Sequence, residues 1–197
     1  DRRVGIIAGL LAASYGAFIF YDGSLLLTPL LVFLCALFLE ILLRADESGS
    51  PVWYFVTGLI LGVAAIVKPT VLAFAPVAAF WVARGARRPA AELGRSGRSG
   101  RLAWPAAVGL MALAVVLVVT PVTIRNAVVA GDFVPITSNG GLNFYIGNSE
   151  ISTGGYVKPE GIASAPDIRA DIQGREYAEG QVGRPLGASE VSAFWYG

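Results

Sequence analysis

The stretch Leu25-Leu-Leu-Thr28-Pro29-Leu-Leu-Val-Phe-Leu-Cys35-Ala-Leu-Phe-Leu-Glu40-Ile-Leu-Leu43 is apolar except at Thr28, Pro29, Cys35 and Glu40. A bilayer's hydrocarbon core, about 30 Å thick, takes roughly 20 apolar residues of helix, and this run meets that length. Before it lies a second such run, Val4–Tyr21, closed by Asp22-Gly23-Ser24. After it comes a polar loop, Arg44–Pro51, and then Val52–Ala83, interrupted in its middle by Lys68-Pro69-Thr70. That segment is long for one straight span and short for two. Proline removes a helical hydrogen bond and disfavours helix at the residue before it, so two short or tilted helices are expected to meet at Lys68-Pro69. A basic loop, Arg84–Arg101, precedes the last apolar run, Leu102–Ile124. The expected fold class is an all-α polytopic membrane protein. It comprises about five transmembrane or broken helices over 1–124 and a small α-rich extracytoplasmic segment over 125–197.

Composition agrees. Charged residues are 15% of the chain and hydrophobic ones 55%, with a mean hydropathy of +0.63, whereas a soluble domain carries about 25% charged residues. The net charge of +1 gives no footprint for a nucleic-acid partner. There is no histidine, and the one cysteine, Cys35, lies inside an apolar run. Disulfides, zinc clusters and His-dependent triads are therefore excluded for this sequence. Chemistry here rests on carboxylates, Lys, Arg, Tyr, Asn and backbone. The chain opens on Asp1-Arg-Arg and stops at Phe194-Trp-Tyr-Gly197, which reads as a fragment of a longer protein.

Orientation follows from Lys and Arg in short loops. One side holds Arg2, Arg3, Arg44, Arg84, Arg87, Arg88, Arg95, Arg98 and Arg101; the other holds Lys68 at a turn and Arg125 at a membrane exit. The first side is expected to be cytoplasmic, which places the segment from Arg125 onward outside. Trp53, Trp81 and Trp104 stand near span ends, where interfacial indoles belong. The repeat Arg95-Ser-Gly-Arg98-Ser-Gly-Arg101 reads as a flexible linker that also fixes topology.

In the outer segment, Phe133-Val-Pro-Ile136 is expected as a short strand or an extended piece. Thr137-Ser-Asn139-Gly-Gly-Leu-Asn143-Phe-Tyr145-Ile-Gly-Asn148 follows. Its Asn-Gly and Gly-Gly pairs predict turns with positive φ. Asn139, Asn143, Tyr145 and Asn148 offer amide hydrogen bonds and an aromatic platform suited to a sugar or phosphate; the competing role for Tyr145 and Asn148 is loop packing. Pro166–Glu179 predicts an exposed amphipathic helix ending at Gly180, with Ile168, Ile172 and Tyr177 inward. Ser189 is a candidate N-cap for the last helix, with Glu190 near its positive end.

Four charged residues carry alternatives. Lys68 is either a cation placed to hold a lipid-linked phosphate or a lysine snorkelling from a helix end. Arg125 is either an interfacial anchor or a second phosphate contact. Asp22 is a weak candidate for an acid or base, set against a helix-ending Asp-Gly turn. Glu40 stands one turn before Arg44, the spacing of a structural ion pair.

Two stretches resemble a known group. Gly58-Leu-Ile-Leu-Gly-Val-Ala-Ala-Ile-Val-Lys68-Pro69-Thr70-Val-Leu resembles the GLLLGLAALTRPT helix of bacterial GT-C superfamily glycosyltransferases, the protein mannosyltransferases and lipid A aminoarabinose transferases. Thr120-Pro121-Val-Thr123-Ile-Arg125-Asn126, with Phe133 through Asn148, resembles the PWTIRN…FVPLSTNGGxNLYxGN junction of the same group. The resemblance implies a multi-pass enzyme of the bacterial inner membrane. It transfers a sugar from a polyprenyl-phosphate donor to an acceptor hydroxyl on the outer face, usually with inversion. An acidic residue deprotonates the acceptor and basic residues stabilise the departing phosphate. Lys68 and Arg125 are then the phosphate-side residues, with membrane lipids around them. The family's acidic motif falls in a loop that would precede residue 1, so the catalytic base is not identified. Lys68 stands where most relatives have Arg, which keeps the charge and loses the bidentate fork. No cofactor is implied, and dependence on a divalent metal stays open. Two rivals are a transporter or flippase for lipid-linked sugars, favoured by the broken Val52–Ala83 element, and a non-catalytic membrane scaffold.

Overall fold

The computed structural model describes residues 2–24, 26–86, 102–154, 156–159, 161–162 and 168–197. Every regular element among them is helical: α1 (Arg2–Ala13), α2 (Gly16–Gly23), α3 (Leu27–Ser48), α4 (Pro51–Val67), a 3-10 helix (Pro69–Ala73), α5 (Phe74–Ala86), α6 (Trp104–Ala130), α7 (Gly140–Asn148), α8 (Ile168–Val182) and α9 (Ala188–Tyr196). The chain divides into two compact units, Asp1–Val119 and Thr120–Gly197. The basic repeat at 95–101 lies outside the described residues.

In the first unit, α3 opens with Thr28-Pro29 in its first turn, where a missing N–H costs nothing. It ends at Gly49, whose φ of 68° allows its N–H to close on the Ala45 carbonyl at 2.8 Å. Ser50-Pro51 then starts α4. Lys68 ends it with extended backbone, φ −151° and ψ 106°, as expected for a residue preceding proline. The chain re-enters helix through the 3-10 turn, so the break expected at Lys68-Pro69 is present. The run Val4–Tyr21 also breaks, between Ala13 and Gly16, into α1 and α2.

Two helices among the described residues are long and apolar enough to cross a membrane, α3 and α6. At 1.5 Å per residue they span about 33 and about 40 Å. Their apolar windows are only 22% and 17% buried within the protein. Most of their apolar side chains therefore face outward, the reverse of a helix at the centre of a soluble core. α4 and the 3-10/α5 segment are apolar but shorter, and α1 has no buried residue.

The core of the first unit joins Phe38, Leu42 and Ala45 of α3 to Tyr54 and Leu61 of α4, Ala78 and Val82 of α5, and Ala107 and Met111 of α6. Close approach is set by Gly58 and Gly62. A Cβ on Gly58 would overlap the Met111 carbonyl oxygen and stand 2.7 Å from Ala114 Cβ; one on Gly62 would stand 2.8 Å from Val118 Cβ. Glycines four apart let two helices meet backbone to backbone, the contact that holds helices together where surrounding lipid removes the hydrophobic drive. Arg44 pairs with Glu40 at 2.8 Å as expected, and its guanidinium lies 5.9 Å from the Trp53 ring centroid.

The second unit packs α7, α8 and α9 around Trp195, which is buried with Leu142, Ile162 and Ala170. Its indole meets Tyr145, Tyr177 and Phe194 at ring-centroid distances of 5.0, 5.6 and 5.4 Å, and its N–H donates to the Gly174 carbonyl at 3.1 Å. Four local expectations are corrected here. The Asn139-Gly-Gly stretch starts α7 and is no positive-φ turn; Gly141 is required because a Cβ there would collide with the Ser192 carbonyl of α9. The inward face of α8 is Ala170, Gly174 and Ala178 with Tyr177 beside it, while Ile172 is 53% exposed. The helix passes Gly180 and stops before Gly183, whose φ is 77°. Gly187, not Ser189, is the N-cap of α9.

Steric grading follows for three glycines. Gly58→Ala must displace backbone and is expected to cost about 1–3 kcal/mol. Gly62→Ala meets Val118 Cβ at 2.8 Å and Val115 Cα at 3.3 Å, a smaller overlap than at Gly58, and costs less. Gly109→Ala on α6 meets nothing within 4 Å and is neutral or stabilising by roughly 0.5–1 kcal/mol. Denaturation midpoints of the three variants in detergent check this order.

Candidate functional site

Lys68 lies in the first unit, at the α4 break. Its backbone is fixed on both sides: its N–H donates to the Ala64 carbonyl at 2.9 Å, and its own carbonyl accepts from Val71 N–H at 3.1 Å. The side chain is exposed, and its ammonium has no partner among the described residues. A cation thus stands at the end of a helix whose last carbonyls favour positive charge. Asp22 falls in the last turn of α2; its side chain is outside the described residues.

The second unit holds the other candidates. The last turns of α6 and the Phe133–Ile136 segment form one hydrogen-bonded piece. Thr123 Oγ1 donates to the Pro135 carbonyl at 2.8 Å, and Asn126 Nδ2 donates to the carbonyls of Val134 at 3.1 Å and Ile136 at 3.2 Å. Phe133–Ile136 has no strand partner among the described residues, and these side chains take its carbonyls where a β-ladder otherwise would. Arg125 is exposed and donates weakly to Asn126 Oδ1 at 3.4 Å.

The α7 candidates do not share a binding face. Asn143 is exposed. Tyr145 is half-buried, edge-on against Trp195. Asn148 donates back to the Phe144 carbonyl of its own helix at 2.9 Å. The packing role weighed for Tyr145 and Asn148 is the one their contacts describe. Asn139 differs: its Nδ2 donates to Asp171 Oδ2 of α8 at 2.8 Å, and its Oδ1 accepts from Thr137 Oγ1 at 2.9 Å.

Asn139 also edges an open cleft of about 430 Å³ between the start of α7 and helices α8 and α9. Its polar wall is Asp171, Arg175, Glu176 and Glu179, and its apolar lining includes Leu142, Ile172 and Val191. Glu179 Oε1 accepts the Leu186 N–H at 3.0 Å. Arg175 and Glu176 have no partner among the described residues. Sequence reasoning passed over this wall, although Asp171, Arg175 and Glu179 recur every four residues and so mark one face of a helix.

Two further carboxylates have perturbed acidities. Asp132 accepts the Ser189 N–H at 2.6 Å and the Ser189 hydroxyl at 2.8 Å, which hold it below the usual aspartate range. Glu190 is lowered from 4.5 to about 2, first by the Arg184 guanidinium at 2.7 and 3.0 Å and then by the Gly187 N–H at 2.9 Å. Both acceptors sit at the positive end of α9 and satisfy N–H groups that the helix leaves unpaired. Their role is to anchor that helix. Among the described residues, no group of three His, Cys, Asp or Glu side chains is placed to hold a metal ion.

Comparison with protein-family models, curated proteins and solved structures finds no match to this chain.

The two lowered values set a pH dependence. A carboxylate whose folded pKa lies below its unfolded one stabilises fully above the unfolded value and loses that contribution as pH falls through the folded one. Amide protection of α9 in the intact chain is therefore constant from neutral pH down to the ordinary Glu value of 4.5 and declines between 4.5 and about 2. Arg184→Ala moves the decline upward. Hydrogen exchange followed by mass spectrometry, corrected for intrinsic rates, measures both; a decline already complete above 4.5 in the unmodified chain contradicts the assignment.

Proposed function

We propose that this chain serves a polytopic glycosyltransferase of GT-C type in the bacterial plasma membrane, with residues 125–197 outside. The enzyme transfers a sugar from a polyprenyl-phosphate donor to an acceptor hydroxyl. The observation that carries this reading is Lys68: an exposed ammonium, without a partner among the described residues, at the break between two apolar helices, in the stretch that resembles the family's Arg-Pro-Thr helix. The outward-facing apolar surfaces of α3 and α6 support the membrane setting. The joining of Thr123 and Asn126 to Phe133–Ile136 supports treating the second family-like stretch as one structural piece.

The chemistry assigned to Lys68 is electrostatic. As the glycosidic bond to the lipid phosphate breaks, negative charge grows on the leaving oxygen, and a cation already in place stabilises that charge without reorganising. Arg125 is the second phosphate-side group. The broken α4–α5 element favours one alternative, a transporter for the same lipid-linked sugar, in which an interrupted helix lines the path.

Transfer of label from a panel of polyprenyl-phosphate sugars by the full-length protein tests the reading. Lys68→Ala is expected to lower turnover by roughly 100-fold or more, the size of losing one preorganised stabilising group, while Lys68→Arg retains activity. Unchanged turnover in Lys68→Ala means that the lysine only snorkels. Movement of the lipid-linked sugar across proteoliposomes without transfer selects the transporter.

A further inference from the structure

The cleft of the second unit belongs to no part of the phosphate-side chemistry, and its lining restricts what it can hold. Three carboxylates, Asp171, Glu176 and Glu179, face it with one guanidinium, Arg175. That excess of negative charge disfavours a phosphate or any other anion. A metal ion is also a poor occupant, since these carboxylates do not converge on a point. A lipid tail would leave the charged wall without partners, a costly outcome for desolvated charge. A free cation would face Arg175 across the same opening.

What remains is a ligand that is uncharged, rich in groups that both donate and accept, and apolar on one face. We propose that this cleft is a carbohydrate-binding site for a neutral saccharide. Sugar hydroxyls donate to the carboxylates of Glu176 and Glu179 and accept from the Arg175 guanidinium. These contacts are charge-assisted and stronger than neutral ones. Ile172, an apolar side chain left 53% exposed beside that polar wall, meets the C–H face of the ring. Among the described residues Arg175 and Glu176 have no partner, so binding removes no ion pair described for either. The volume of about 430 Å³ lies within the range of small-ligand pockets. The floor is closely packed: Gly174 lets α8 approach Leu142 and Trp195 so that an added Cβ would stand 3.1 Å from Leu142 Cδ2.

The proposal stands on the cleft's own chemistry. It rests on the transferase reading only in making the bound saccharide the acceptor. Saturation-transfer NMR on the full chain in nanodiscs tests it with neutral methyl hexosides and disaccharides, glucosamine and glucose 1-phosphate at millimolar concentration. Neutral glycosides are expected to bind, and glucose 1-phosphate to bind more weakly. Arg175→Ala and Glu176→Gln each weaken binding roughly tenfold, the loss of one hydrogen bond to a charged group, while Glu150→Gln, outside the cleft, leaves it unchanged. Absence of glycoside binding, equal binding in the Arg175 and Glu176 variants, or preference for glucosamine or glucose 1-phosphate overturns the proposal. Saccharide binding without label transfer removes the transferase reading and leaves this site standing. Transfer from the polyprenyl donor with no binding in the cleft does the opposite.

Discussion

Contact between helices without an intervening Cβ is the constraint on which both units depend. In the first unit Gly58 brings α4 against the backbone of α6 at Met111, and Gly62 seats it beside Val118. In the second, Gly141 brings α7 against the Ser192 carbonyl of α9, and its N–H donates to Ser192 Oγ at 2.9 Å. Gly174 does the same for α8 over Leu142 and Trp195. The reasons differ with the surroundings. In the first unit the glycines lie on an apolar helix, where the absence of a Cβ lets close van der Waals fit add to the attraction between helices. The helices α7 and α9, at nine residues each, are below the length at which an isolated helix is stable, so tertiary contact must hold them. Shortness and close approach belong together.

That constraint explains where the amino-acid sequence was readable and where it was not. The α3 and α6 runs, the break at Lys68-Pro69 and the Glu40–Arg44 pair follow from local rules: apolar length, proline stereochemistry and helical spacing. Each is decided within a few residues. The Asn139-Gly-Gly stretch is not. Glycine serves equally for a left-handed turn and for a close approach, and only the position of Ser192, fifty-one residues away, decides between them. The same limit applies to α8. A hydrophobic pattern put Ile172 inside, yet the surface that packs is Ala170, Gly174 and Ala178, because a closely seated helix buries its smallest residues. At α9 the serine at 189 looked like a cap, but the acceptor is Asp132, fifty-seven residues distant.

The candidate site was legible by residue type and less so by arrangement. Lys68 and Arg125 stand out in the sequence as cations beside apolar runs, and both side chains are exposed. The asparagines and the tyrosine of 139–148 form one polar motif on paper. A helix separates them by 100° per residue, so Asn143, Tyr145 and Asn148 point to solvent, core and their own backbone. Only Asn139, at the helix start, meets the polar wall of α8. The wall itself escaped notice because Asp171, Arg175 and Glu179 are ordinary content for a solvated helix face. A cleft is a property of two or more elements, and no single segment announces it.

Acid–base chemistry is the part of a transferase that the anchoring of α9 bears on most directly. An alcohol nucleophile needs a base whose pKa lies near the working pH, so that it is unprotonated yet still accepts a proton readily. Among the described residues of the second unit, Asp132 and Glu190 are the carboxylates with lowered pKa values, and a perturbed pKa ordinarily flags a reactive group. Here the direction and the cause decide against that use. Each is stabilised as the anion by donors already in place, the Ser189 N–H and hydroxyl for one and Arg184 with the Gly187 N–H for the other. Taking a proton would forfeit those bonds, and a group at about 2 is a weak base at neutral pH. Their lowered values are a signature of helix anchoring. In the proposed transferase neither of these two carboxylates suits the role of base, and Lys68 keeps its proposed place on the side of the leaving phosphate.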